Sequence, residues 1–191
     1  MSLSPSVLLY ISLRLNKRCR SKKTKTAGSF FALLLIVYHG SDREIALPDV
    51  AHSRKRVDFG PGFYVTPLWA QAVSWSERFK LRGGTAIVSR YELEEAALKT
   101  GRVLKFDAYN EEWLDFIVAC RRGQRTEAYD LIMGGVANDK VFDTVELFFA
   151  GLIDKSAALG RLQFQQPNYQ ICLRTQTVIN QYLHFIGSDI V

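Results

Sequence analysis

The sequence predicts a single domain of the α+β class. At 191 residues, the chain is long enough to bury one hydrophobic core, whereas two domains would each be small. Segments rich in β-branched residues are interspersed with segments whose apolar residues have helical spacing. No internal repeat is visible, so these segments are expected to pack around one core.

Strands are expected where β-branched and aromatic residues cluster between turn-forming residues. The first begins at Leu33 and ends at His39, and a polar connection containing Pro48 follows it. The segment after residue 175 gives a mixed signal. The other expected strands are GFYVT, TAIVSRYEL, GRVLKFDA, AYDLIMG and NYQICLRT, at residues 62–66, 85–93, 101–108, 128–134 and 168–175.

Helices are expected where a capping residue precedes periodic apolar residues. Thr66 and Pro67 suit a helix start, because the hydroxyl can cap the helix and proline fits its first position. That helix should run to about Gly83. Three further helices are expected to start at Asn110, Asp139 and Asp154 and to end near residues 122, 151 and 162.

The net charge of +6 is unevenly distributed along the chain. Residues 1–37 contain seven of the 25 basic residues and no acidic residue, which leaves a net charge of −1 from Tyr38 onward. A near-neutral body gives no reason to expect broad binding to a phosphate backbone. We therefore expect residues 1–32 to be a basic, disordered leader or an over-extended start, and residues 33–191 to be the folded domain.

A secretory signal is the alternative explanation of the leader. A basic segment precedes the apolar run Phe30–Tyr38, as in a signal peptide. The run is short, however, and no cleavage site of small residues follows it. It is also too short to span a bilayer. We therefore expect a cytoplasmic protein that does not enter a membrane.

The residue types exclude several classes of site. Cys19, Cys120 and Cys172 are widely spaced, which is typical of reduced thiols in the cytosol, and with three histidines a metal site is not expected. No Gly-x-Ser-x-Gly elbow, Walker loop or His-Glu-x-x-His motif is present, so triad hydrolases, P-loop enzymes and zincins have no support. The DFG triplet at residues 58–60 lacks the accompanying kinase motifs.

Two phrases of the sequence carry a more specific pattern. YHGS, residues 38–41, ends the first expected strand, and DFGPGFYVTPLWAQAVSW, residues 58–75, follows after a polar connection. Together they resemble the first half of the ADP-ribosyltransferase fold, where a His-Gly dipeptide closes one strand and a Gly-x-Gly-aromatic-Tyr segment opens the next. Trp75 lies eleven residues after Tyr64, which is similar to the second aromatic position of the poly(ADP-ribose) polymerase branch.

The resemblance covers the chain from about Val37 to Phe185. Through YDLIMGGVANDKVFDTVELF and NYQICLRT, the chain is also similar to a bacterial family, the domain of unknown function numbered thirty-nine-ninety, which the resemblance places in the ADP-ribosyltransferase superfamily. Within that superfamily the resemblance is to the poly(ADP-ribose) polymerase and diphtheria-toxin-like branch. It implies an ADP-ribosyltransferase-like split β-sheet core with flanking helices.

The resemblance further implies a site for NAD, the co-substrate whose bond between nicotinamide and ribose is broken. His39 would hydrogen-bond the adenosine ribose, and the backbone of Gly40 would pair with the carboxamide. Tyr64 and Trp75 would enclose the nicotinamide, because aromatic faces suit a cationic ring. The expected NAD-binding residues are His39, Gly40, Ser41, Gly62, Tyr64 and Trp75.

Gln170 stands where the superfamily has a catalytic glutamate, at the start of a late strand. An amide can bind the ribose 2′-hydroxyl, but it has no charge to stabilise an oxocarbenium-like transition state. By resemblance, Gln170, His39 and Tyr64 are the expected catalytic residues. Glu146 and Asp139 could supply an acid instead, but each is already explained by its place in a helix.

The expected function is that of an NAD-dependent mono-ADP-ribosyltransferase acting on a protein or a nucleic acid. By resemblance, the protein is expected to be a component of a bacterial toxin or defence system, and a cognate antitoxin-like partner would then accompany it. The alternative is a catalytically degenerate module of the same fold that binds NAD, ADP-ribose or another protein. NAD-dependent removal of an RNA 2′-phosphate would need arginines at the cleft, which the near-neutral body does not favour.

Overall fold

The computed structural model describes residues 33–124, 126–135, 139–162 and 168–191. The leader expected at residues 1–32 lies outside the described residues. The expected α+β class is confirmed, because strands and helices are both present and intermixed along the chain. None of the described helices is long and apolar enough to cross a membrane.

The described residues form seven strands and six helices. The strands are β1 Leu34–Ser41, β2 Phe63–Val65, β3 Ile87–Glu94, β4 Val103–Lys105, β5 Leu131–Gly134, β6 Gln170–Leu173 and β7 Leu183–Ile190. The helices are α1 Trp69–Lys80, α2 Ala96–Thr100, α3 Glu111–Arg121, α4 Asp139–Phe149, α5 Lys155–Leu162 and α6 Gln176–Tyr182.

The strands make two sheets that meet at one residue pair. Sheet I has the order β1-β3-β7 and is antiparallel, and sheet II has the order β2-β6-β5-β4 with β4 and β5 parallel. Between them, Tyr38 N–H donates to Thr66 O at 2.8 Å, and Thr66 N–H donates to Tyr38 O at 2.9 Å. We call this isolated pair the bridge. An ADP-ribosyltransferase-like split core remains a prediction.

Hydrophobic clusters cover both faces of sheet II. Side chains alternate along a strand, so Ile171 and Leu173 belong to a first cluster with Phe63, whereas Cys172 belongs to a second. Helices α3, α4 and α5 supply most of that second cluster. A third, smaller cluster lies between α1 and sheet I and contains Tyr38, Ala72 and Val88.

Helix α1 packs against β1 at Gly40. A Cβ atom on Gly40 would lie 2.2 Å from the carbonyl oxygen of Ala72 and 3.2 Å from the backbone nitrogen of Ser76. Both neighbours are backbone atoms of α1, so they cannot move aside without displacing the helix. The absence of a side chain at Gly40 therefore sets how closely α1 approaches sheet I.

The expected strands and the four expected helices are all confirmed, with one error at a helix start. The first helix begins at Trp69 rather than at Pro67, and its N-cap residue Leu68 has an extended backbone. Leu68, rather than Thr66, is thus the residue that precedes the helix. The Thr66 hydroxyl still accepts a hydrogen bond from Leu68 N at 3.1 Å.

Other helix signals are confirmed in detail. The Asn110 side chain accepts from Trp113 N at 2.9 Å, and Asp154 accepts from Ala157 N at 2.7 Å, so both act as N-caps. The cap expected from Asp139 concerns a side chain outside the described part of the chain. The sequence did not predict α2, α6 or β7, which occupies an edge of sheet I.

Replacing Gly40 with Ala should destabilise the fold. The added Cβ would clash with the backbone of α1, and overpacking of this kind costs about 1–3 kcal/mol or more. Gly160 is a matched control, because a Cβ there meets nothing within 4 Å outside its own helix. Gly160→Ala should stabilise by about 0.5–1 kcal/mol. Urea unfolding of the two variants measures both values, and equal effects would contradict the close packing at Gly40.

Candidate functional site

The candidate site is the gap that opens where β1 and β2 diverge beyond the bridge. Residues two apart in an antiparallel strand direct their backbone groups to the same edge, so Gly40, like Tyr38, directs its N–H and C=O towards β2. The described residues show no pairing of β1 with β2 beyond the bridge. Instead, Nδ1 of His39 lies 2.7 Å from Tyr64 O. We call this region, with its residues Tyr38, His39, Gly40, Tyr64 and Thr66, the bridge gap.

The contact with Tyr64 defines the tautomer of neutral His39. A carbonyl oxygen can only accept, so Nδ1 carries the proton and Nε2 presents a lone pair. Burial lowers the pKa of His39 below its ordinary value, and the hydrogen bond to the carbonyl opposes this only in part. The ring also packs on Phe63, with the centroids 4.5 Å apart. His39 is therefore a fixed, neutral imidazole at neutral pH.

The side chain of Tyr64 points to the second cluster. Its hydroxyl donates to Gly60 O at 2.5 Å and accepts from Phe59 N at 3.1 Å. Burial raises the pKa of Tyr64 well above its ordinary value. The Tyr64 hydroxyl therefore stays protonated and holds the preceding turn.

The turn before β2, residues 58–62, contacts α3 through Asp58 and β6 through Gly62. Asp58 accepts from Arg121 Nε and Nη2 at 3.0 and 2.7 Å, and both side chains are mostly buried, at 15% and 10% exposed. Gly60 has a φ of 71°, which glycine adopts without strain. A Cβ on Gly62 would lie 2.4 Å from Cys172 Sγ. The fold itself thus requires Gly62, whatever it contributes to a ligand.

Gln170 is buried next to the bridge. It is 8% exposed, and its Nε2 has no hydrogen-bond partner among the described residues. Because Val65 pairs with Ile171, Gln170 and Thr66 are the next residues on their two strands. A buried amide hydrogen without an acceptor costs about 1–3 kcal/mol. Gln170 is thus suited to donate a hydrogen bond to a ligand.

Gln71 fixes the backbone just before Gln170. Its Oε1 accepts from Tyr169 N at 3.2 Å, and its Nε2 donates to Tyr169 O at 3.2 Å. These two bonds tie α1 to the start of β6. No sequence pattern points to Gln71, because a glutamine within a helix gives no local signal of such a contact.

Trp75 lies on the surface of α1, with 41% of the residue exposed. The guanidinium of Arg78 sits over its ring at 4.4 Å from the centroid. Trp75 lines a small cavity of about 70 Å³. We call this cavity the arginine pocket, and its lining residues are Arg54, Trp75, Arg78, Phe79 and Arg82.

The structure brings some of the predicted site residues together and not others. His39, Gly40 and the Tyr64 carbonyl meet at the bridge gap, and Gln170 is on the strand next to β2. The side chains of His39 and Gln170 project from opposite faces, since His39 packs on Phe63 of the first cluster and Gln170 alternates with Ile171 of that cluster.

Ser41 serves the turn that follows β1. Its hydroxyl donates to Arg43 O and accepts from Arg43 N, the latter at 3.4 Å. A further cavity of about 330 Å³ contains none of the predicted site residues. The described residues include no group of three or more His, Cys, Asp or Glu side chains that could hold a metal ion. The described cysteines, Cys120 and Cys172, are buried free thiols.

A family model described as protein of unknown function (DUF3990) matches residues 35–185. The chain belongs to the DUF3990 family. The match includes the bridge gap, Gln170 and the arginine pocket, so all of them lie in the DUF3990 domain. Neither a curated protein nor a solved structure matches this DUF3990 protein. Its membership of the ADP-ribosyltransferase superfamily remains a prediction.

Replacing His39 with Asn should remove part of the pH dependence of stability. The folded-state pKa of His39 lies below the ordinary value of 6.5, so below that pH the unfolded chain binds a proton that the native protein does not. The wild-type free energy of unfolding should fall as the pH drops through about 6.5 and level off below the folded-state pKa.

His39→Asn keeps an N–H donor for the Tyr64 carbonyl and does not titrate, so its stability should fall less over the same range. Urea unfolding between pH 7.5 and 5.0 measures the difference. The other histidines contribute equally to both proteins. Parallel curves would show that burial does not lower the pKa of His39.

Proposed function

We propose that this protein is an NAD-dependent mono-ADP-ribosyltransferase whose NAD site is the bridge gap. The observation that most supports the proposal is that the backbone of Gly40 faces the gap. The Tyr64 carbonyl on the other side of the gap is hydrogen-bonded to the His39 side chain. One residue, Gly40, then offers an N–H and a C=O along one edge. A carboxamide, with one acceptor and two donors, can form a hydrogen bond with each.

The neutral state of His39 supports the same proposal. Because Nδ1 donates to Tyr64 O, Nε2 can accept a hydrogen bond from a ribose hydroxyl. A protonated imidazole would offer no acceptor there, and burial keeps the pKa of His39 low. His39 is thus prepared to orient a ribose rather than to transfer a proton.

Gln170 fits a ligand with a hydroxyl group. Its unpaired Nε2 can donate to the ribose 2′-hydroxyl, which would relieve the cost of the buried amide. His39 and Gln170 would contact such a ligand from opposite faces of the strands. When bound, NAD would supply the bond between nicotinamide and ribose that is broken. Gln170 brings no negative charge to stabilise the positive charge that develops.

That missing charge also favours a second candidate, a module that binds NAD or ADP-ribose without turnover. An amide in place of a carboxylate keeps the hydrogen bond to ribose and loses the electrostatic stabilisation of the transition state. The two candidates share the bridge gap as their binding site. They differ only in whether nicotinamide is released.

NAD should raise the melting temperature of the protein, and nicotinamide should be released slowly. For His39→Ala, the NAD concentration needed for the same rise in melting temperature should be about tenfold higher, and nicotinamide release about tenfold slower. Each change corresponds to one lost hydrogen bond. Gln170→Glu should raise nicotinamide release by about tenfold or more, because a carboxylate stabilises the developing cation.

Gln181→Glu introduces the same charge at an exposed position and serves as the control. Stabilisation by NAD with no release from the wild type or from Gln170→Glu would support the binding module instead. Neither stabilisation nor release would contradict both candidates. A melting scan of each variant without NAD checks that its fold is intact.

A further inference from the structure

The arginine pocket has the composition of an anion site that also offers an aromatic surface. Arg54, Arg78 and Arg82 supply three guanidinium groups, and no carboxylate is among the residues that line it. The pocket is small, at about 70 Å³, which suits one phosphate group rather than a whole nucleotide. Three cations also disfavour the positively charged ring of NAD beside Trp75.

Stabilisation of α1 accounts for only part of this cluster. Arg78 and Arg82 lie in and just after the last turn of α1, where cations interact favourably with the helix dipole. Arg54 comes from the connection between β1 and β2 and has no such role. Two separate segments of the chain therefore contribute charge to one pocket.

The two segments that contribute to the arginine pocket are basic in sequence. These segments, residues 50–57 and 69–85, together hold six basic residues and one acidic residue. The body from Tyr38 onward has a net charge of −1, so this is a local concentration of positive charge. Such a local patch attracts a polyanion even when the whole domain is near neutral.

The exposure of Trp75 narrows the class of polyanion. An indole that is 41% exposed beside guanidinium groups can stack with a base while the cations bind the neighbouring phosphates. In a duplex, the bases are already stacked and paired, so their faces are not available. The combination therefore favours a single strand over a duplex.

We propose that the arginine pocket binds single-stranded nucleic acid, with a phosphate between Arg54 and Arg82 and a base on Trp75. The further step, that this nucleic acid is the acceptor of ADP-ribose, rests on the proposed transferase function. Gln71 and Trp75 are four residues apart on α1, about 6 Å along the axis, and Gln71 contacts the residue before Gln170. A strand in the pocket would thus lie beside the proposed site of transfer.

Fluorescence anisotropy with a labelled 12-mer of deoxythymidine tests the inference without NAD. The Arg54→Ala, Arg82→Ala double variant should bind at least tenfold more weakly, and the slope of log K against log salt should be about 0.7 smaller for the one lost phosphate contact. Trp75→Leu should weaken binding about tenfold, and Trp75→Phe should weaken it less, because a phenyl ring still stacks.

Arg161→Ala removes an exposed arginine from α5, outside the pocket, and is the matched control. The basic residues of the leader are common to all variants, so only differences between variants count. Equal affinity of the double variant and Arg161→Ala would overturn the inference, as would a duplex binding more tightly than the single strand.

Displacement of the 12-mer by NAD at the affinity that NAD shows in melting scans would assign the pocket to NAD and overturn the inference. Displacement by inorganic phosphate only at tens of millimolar is the expected result for a phosphate subsite. Failure of 12-mer binding leaves the transferase proposal to be judged by nicotinamide release, so the two failures are distinguishable.

Discussion

The pair of hydrogen bonds between Tyr38 and Thr66 is the constraint on which the rest of the site depends. At 2.8 and 2.9 Å, these bonds join two sheets that are otherwise unpaired along β1 and β2. They bring His39 to the Tyr64 carbonyl and leave the backbone of Gly40 facing a gap. Helix α1 follows soon after the bridge, starts at Trp69 and packs on β1 at Gly40.

Helix α1 connects two regions of different electrostatic character. At the bridge gap the polar groups are neutral, namely an imidazole of lowered pKa, backbone amides and the Gln170 side chain. At the other end of the helix, three guanidinium groups surround an exposed indole. A neutral gap is suited to orienting a carboxamide and a ribose, and the cationic end is suited to an anion. Helix α1 would then hold the NAD donor near the bridge gap and the nucleic-acid acceptor at the arginine pocket.

Local signals were sufficient for most of the fold and for part of the site. Asn110 and Asp154 cap helices as their sequence context predicts. Strand β7 escaped prediction because polar and glycine residues interrupt its alternation, and its pairing with β3 is a long-range property. The sequence also could not predict that Arg54 joins the arginine pocket, because two separate segments of the chain form this pocket. The net charge of the whole body does not reveal such a local cluster. The unpaired amide of Gln170 depends on burial, which no spacing reveals.

The central claim is that the Gly40 backbone in the bridge gap receives a carboxamide. Titrating the isotope-labelled protein with nicotinamide and following backbone amide resonances tests it most directly. The Gly40 amide should show the largest change, and the other changes should centre on the residues of the bridge gap. Changes centred on the 330 Å³ cavity around Asp130 and Thr175, with Gly40 unaffected, would contradict it.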